Sequence, residues 1–151
     1  MDGLLAAYAS AAANEKPPAS IVVGVTWRDP IRGVTELGDR WTHEGVEWAA
    51  TGLVAAGVLA PLQTTIGSAT TYVAGSSISD LIALAAKADL RPIEGGRLTL
   101  SAFPTSSTRR LARTIEGMRV APWPRVYADL RVIGVRGEEA AEHLREIVNG
   151  K

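Results

Sequence analysis

Apolar residues in this chain fall into short runs whose period switches between about two and about 3.6, and the switches coincide with Pro or Gly. A chain punctuated in this way reads as helices packed on a sheet. Leu4, Leu5, Tyr8 and Ala12 recur at helical spacing over 3–14, and Lys16-Pro17-Pro18 ends that run. Ile21, Val22, Val23, Val25 and Trp27 predict a strand that is apolar on both faces and therefore central. Asp29-Pro30 then starts a helix with Ile31, Val34, Leu37 and Trp41 on one stripe. Gly33 and Gly38 each weaken that helix by about 1 kcal/mol relative to Ala, so packing must hold it, and Gly allows close approach to a sheet.

The second half continues the alternation. Val46–Ala50 reads as a strand, 53–60 as a helix stopped by Pro61, and Thr70–Ala74 as a strand rich in Thr and Tyr. Ser77 or Ser79 caps a helix over 80–88. Leu90–Ile93 and Arg97–Phe103 read as a hairpin around Glu94-Gly95-Gly96, residues 104–108 as a loop, and 114–120 as a second small hairpin. Two helices close the chain, 122–133 and 138–149; on the first, Trp123, Val126, Tyr127, Leu130 and Ile133 share a face. The expected class is α+β: a mixed sheet with helices packed on it, ending in a helix pair, all in a single domain over 1–151.

Composition closes off several chemistries. There is no Cys, so disulfides, thiolate metal sites and Cys nucleophiles are excluded. With only His43 and His143, and both on predicted polar helix surfaces, no metal and no cofactor are expected. The longest apolar stretch, Ala49–Leu62, is interrupted by Gly52, Gly57 and Pro61 and is too short to span a bilayer. The start, MDGLLAAYASAAA, carries Asp2 and no Lys or Arg, which does not fit a secretion signal, so a cytoplasmic location is expected. The zero net charge conceals a basic block. Residues 97–136 hold eight Arg against only Glu116 and Asp129, whereas residues 1–96 hold six basic and ten acidic groups. Such a block either attracts an anionic partner or pairs with acids folded beside it.

Catalytic motifs are absent. The chain has no phosphate-loop, dinucleotide-binding or HExxH pattern, and none of its serines sits in GxSxG. Strand, Gly52, helix and strand over 46–74 admit a degenerate nucleotidyltransferase-like core. That chemistry needs paired carboxylates on the second strand to hold Mg²⁺, and Thr70-Thr71-Tyr72-Val73-Ala74 has none. No catalytic residues are assigned, and the chain is not expected to be an enzyme.

Several blocks of residues point to one family. Residues 47–56, 71–73, 90–100, 120–130 and 136–145 resemble, in order, the C-terminal half of AbiEi-type antitoxins and related bacterial transcriptional regulators. The most specific piece is Pro124-Arg125-Val126-Tyr127-Ala128-Asp129-Leu130, followed by Arg136-Gly137-Glu138-Glu139-Ala140-Ala141. The resemblance covers 46–148 and leaves 1–45 as a helix–strand–helix segment. It implies a regulator that pairs a winged-helix DNA-binding half with a domain that neutralises a cognate toxin of nucleotidyltransferase type. No winged helix precedes the matching part, so direct DNA binding by these residues is not expected. The expected function is that of a non-catalytic regulatory domain acting through protein contacts, with the toxin or a winged-helix domain as partner.

The candidate contact residues are Trp123, Arg125, Tyr127, Asp129, Arg131 and Arg136 on the final helix pair. Arg125 and Asp129 are four apart, able to pair, and expected to face away from the apolar stripe. The same pattern is also that of a helix packed on the sheet with one surface ion pair, Trp123 and Tyr127 lying in the core. The alternative function is small-ligand or nucleotide binding in a cleft near Gly52 and the 104–110 loop, where Arg109 and Arg110 hold an anion.

Overall fold

The computed structural model describes residues 18–61 and 66–149. The helix expected over 3–14 lies outside the described residues. Within them lie six strands and six helices, alternating up to β5: β1 (Ser20–Val23), α1 (Pro30–His43), β2 (Trp48–Thr51), α2 (Gly52–Leu59), β3 (Ala69–Val73), α3 (Ile78–Lys87), β4 (Leu98–Ala102), α4 (Ser106–Arg110), β5 (Arg113–Ile115), β6 (Met118–Val120), α5 (Trp123–Leu130) and α6 (Val135–Asn149). The strands form one mixed sheet in the order β1-β4-β3-β2-β6-β5. β3 runs parallel to β4 and antiparallel to β2, and β2 runs parallel to β6. The fold is therefore α+β, as the alternation of periods requires.

α1 and α3 begin at the capping residues that the sequence supplies. Asp29 accepts from the backbone N–H groups of Ile31 and Arg32 at 3.1 and 3.3 Å, with Pro30 opening α1. Ser77 and Asp80 form a reciprocal capping box at the start of α3. The register divides the sheet into two faces. Trp48, Ala50, Thr71, Val73, Leu98 and Leu100 point one way, and Ala49, Thr51, Thr70, Tyr72, Thr99 and Ser101 the other. α1 and α3 cover the first face and are tied to each other by the Trp41 indole N–H, which donates to the Leu84 carbonyl at 3.2 Å. α5 packs on the second face, over β2 and β3.

Gly38 sets how closely α1 approaches the sheet. A Cβ at this position would lie 1.9 Å from the Trp48 ring, which is itself buried and fixed by its N–H donating to Thr42 Oγ1 at 3.0 Å. The Gly that weakens the helix in isolation is what allows the indole to lie against it.

Three expectations need correction. The 21–27 run is not a central strand: β1 stops at Val23 and ends the sheet, paired with β4 on one side and, among the described residues, met on the other only by the isolated bridge at Pro92. Its residues alternate, with Val23 fully buried and Val22 38% exposed, as in a strand with one face on the core and one toward solvent. Trp27 leaves the sheet and packs on Gly33 instead. The 90–103 hairpin does not form either. Pro92 makes an isolated bridge to Val23, and β4 pairs with β1 and β3. Pro cannot donate to a ladder, and the first arm has too few residues to compete with two full neighbours. Finally, 104–108 is not all loop, because Thr105 caps the short helix α4.

Gly38→Ala is expected to destabilise the protein by about 1–3 kcal/mol through overpacking against Trp48. Helix propensity alone favours Ala by about 1 kcal/mol, so the two effects differ in sign. Urea unfolding followed by Trp fluorescence decides between them; a raised midpoint would mean that Trp48 yields.

Candidate functional site

Arg125 and Asp129 do pair, but inside the protein. Arg125 Nε donates to Asp129 Oδ1 at 3.1 Å, and the two side chains are 9% and 18% exposed. The carboxylate also accepts from Thr51 Oγ1 at 2.6 Å and from the Tyr72 hydroxyl, while Arg125 Nε lies 3.2 Å from the same hydroxyl. The Arg125 guanidinium sits 6.0 Å from the centre of the Tyr72 ring, and that ring packs against Phe103. One helix is thus tied to two adjacent strands through a single carboxylate.

The electrostatics of this cluster are finely opposed. Burial pushes the Asp129 carboxyl above the usual Asp range, while Arg125 and the Thr51 and Tyr72 hydroxyls pull it back. Burial and the neighbouring carboxylate push the Tyr72 phenol far above its ordinary value, so it keeps its proton and donates. Removing the carboxylate would take a charged hydrogen bond from the buried Arg125 and from two hydroxyls at once.

This overturns the expected surface role of three candidate residues. Arg125 and Tyr127 are 7% and 4% exposed, and Asp129 is spent on β2 and β3. Trp123 is partly buried against the core. Arg131 and Arg136 remain exposed, and Arg131 stacks 5.8 Å from the Tyr127 ring centre. Between those two arginines the chain turns a corner with Val132, Ile133 and Val135 at 69, 43 and 72% exposure. Ile133, expected on the inward stripe, belongs to this corner because α5 ends at Leu130 and α6 begins at Val135. Gly134 sits there at φ +104°, and a Cβ at Gly137 would lie 2.1 Å from the Leu130 carbonyl oxygen, so the two helices meet too closely for any side chain at 137.

The alternative cleft is also rearranged. Gly52 follows Thr51, which pairs with Thr70, whereas the 104–110 segment follows Ala102, which pairs with Val73 and so lies near Trp48. The two therefore sit at opposite ends of β2 and share no cleft. At the Trp48 end there is an open cleft of about 740 Å³ lined by Val46, Glu47, Trp48, Arg109, Arg110 and Arg119, among others. Arg109 Nε is hydrogen-bonded to the Glu47 carboxylate. That bond holds Glu47 below the usual carboxylate range, and Arg119 adds to the effect through space. Sequence reading did not single out Glu47 or Arg119, since neither lies in a motif and they are brought together only by sheet pairing.

His43 is exposed, and His143 Nε2 lies 2.9 Å from the Pro61 carbonyl oxygen. Among the described residues no three His, Cys, Asp or Glu side chains converge as a metal site, and no helix is long and apolar enough to cross a membrane. No family model matches the chain, nor does any curated protein or solved structure.

Asp129→Ala is expected to destabilise the protein by about 3–5 kcal/mol, because it removes the shared buried acceptor of Thr51, Tyr72 and Arg125. The double variant Arg125→Met/Asp129→Leu should recover most of that loss, since the raised Asp129 pKa marks the carboxylate as poorly compensated. Urea midpoints at unchanged slope test both, and a double variant no more stable than Asp129→Ala would show the pair to be net stabilising.

Proposed function

We propose that this chain is a non-catalytic regulatory domain that binds a protein partner through the corner between α5 and α6. The observation that carries the reading is the corner itself: Val132, Ile133 and Val135 stand in solvent between Arg131 and Arg136. Large apolar side chains grouped at a turn, with the exposed Arg131 before them, suit a partner surface that has an apolar centre and an acidic rim. The corner is held from within. α5 is fixed to the sheet by Asp129, and α6 is seated by Gly137 against the end of α5. A patch on so constrained a mount loses little entropy when it docks.

The resemblance of the same helix pair to AbiEi-type antitoxins supports a partner of the nucleotidyltransferase-toxin class. On this reading the motif has two parts. Arg125, Tyr127 and Asp129 build the mount, and 131–136 supplies the contact.

Val132→Asp/Val135→Asp is expected to leave stability within about 0.5 kcal/mol per site, as exposed positions allow. It should weaken a stoichiometric complex with a cognate nucleotidyltransferase-type toxin by about a hundredfold, as loss of central apolar anchors does. Titration calorimetry with the purified toxin measures this. A complex that the double variant leaves intact, or no complex with the unsubstituted chain, overturns the reading.

A further inference from the structure

We propose that the cleft beside Trp48 binds the phosphate group of a small phosphorylated molecule, with Glu47 holding the anion's place until the ligand displaces it. Three guanidiniums from two parts of the chain line this one cleft: Arg109 and Arg110 from α4, and Arg119 from β6. Arg109 grips the Glu47 carboxylate, and Arg119 is close enough to act on it as well. The carboxylate therefore marks the point where Arg109 and Arg119 converge, with Arg110 on the same cleft wall. Among the described residues neither Arg110 nor Arg119 has a carboxylate partner; Arg110 reaches only the Ser107 hydroxyl, at 3.4 Å.

Charge then selects the ligand. Three cations against one carboxylate leave two positive charges, which a phosphomonoester near neutral pH matches and a single carboxylate does not. Guanidinium forks also suit the geometry of a phosphate. The cleft, at about 740 Å³, is far larger than phosphate and falls within the range of small-ligand sites. A second hollow of about 530 Å³ adjoins it, sharing Ser106 and Arg109. That hollow is lined by Asp80, which repels a second phosphate and so disfavours a polynucleotide backbone.

The test is an NMR titration of the isotope-labelled full chain with AMP and with inorganic phosphate, against NaCl at matched ionic strength. Saturable shifts at Gly45, Glu47, Arg109 and Arg119 are expected with both phosphates and not with NaCl. Glu47→Gln, which removes the competing anion, should lower the half-saturating concentration about fivefold or more, and Arg119→Gln should raise it about tenfold. If Arg119→Gln loses its folded spectrum, Arg110→Gln at the exposed end of α4 reads the same loss. Shifts that do not saturate, shifts reproduced by NaCl or by unphosphorylated adenosine, or affinities indifferent to Glu47→Gln each overturn the proposal. So does tighter binding of an oligonucleotide without terminal phosphates, which would assign the cleft to a polynucleotide.

Discussion

The carboxylate of Asp129 is where the sheet and the C-terminal helix pair become one body. It reaches from α5 to Thr51 on β2 and to Tyr72 on β3, so the helix cannot slide or rotate over the sheet without breaking bonds to two strands. Hydrophobic packing alone would not fix that register, because Val126, Tyr127 and Leu130 can be buried in more than one rotation of a short helix. The buried ion pair adds directed bonds to two strands, which packing does not supply. What lies beyond α5 is placed by this contact together with its own seats on the rest of the protein, Ile133 beside Gly52 and His143 at the Pro61 carbonyl.

Elements with strong local signals were legible in the sequence. The start of α1 is set by Asp29-Pro30 and that of α3 by Ser77 with Asp80, and the β5–β6 hairpin turns at Glu116-Gly117, where both residues have positive φ. Gly33 and Gly38 were readable as sites of close approach, and both face Trp rings. What failed depended on pairing partners distant in the chain. Whether the run at 21–27 is central or at an edge is decided by β4, some eighty residues away. The Gly-Gly at 95–96 does make a turn, but the strand that follows finds better partners in β1 and β3 than in the arm containing Pro92.

The candidate site shows the same division. The spacing of Arg125 and Asp129 correctly gave the ion pair and said nothing of its burial, because Thr51 and Tyr72 come from other elements. An i,i+4 pair on an amphipathic helix is ordinarily solvated. Here the exposed alternative was not available, since Arg125 lies on the face that meets Tyr72. Glu47 and Arg119 were invisible as a pair for a similar reason. β2 and β6 are parallel neighbours joined through a connection of more than sixty residues, and only that pairing brings Arg119 to the cleft wall.

The fold also divides the basic block that stands out in the sequence. Of its eight arginines, Arg125 is consumed inside, Arg97 donates to the Trp27 carbonyl, and Arg109, Arg110 and Arg119 gather at the Trp48 end of β2. Arg131 and Arg136 go to the helix corner, where Ile133 lies beside Gly52 at the other end of that strand. Four residues of extended chain separate the two ends, about 13 Å, which is longer than the screening length of about 8 Å at physiological salt. Charge at one site is thus largely hidden from the other. A protein partner at the corner and an anion in the cleft would each meet their own field, and any coupling between them would have to pass through the packed strand rather than through solvent. The strand that would carry it, Trp48–Thr51, is buried along its whole length and anchored at both ends: by the Trp48 indole against Gly38, and by the Thr51 hydroxyl on Asp129. A close-packed strand has no slack to absorb a displacement, so it is the one mechanical link between the two ends, while their charges stay screened from each other.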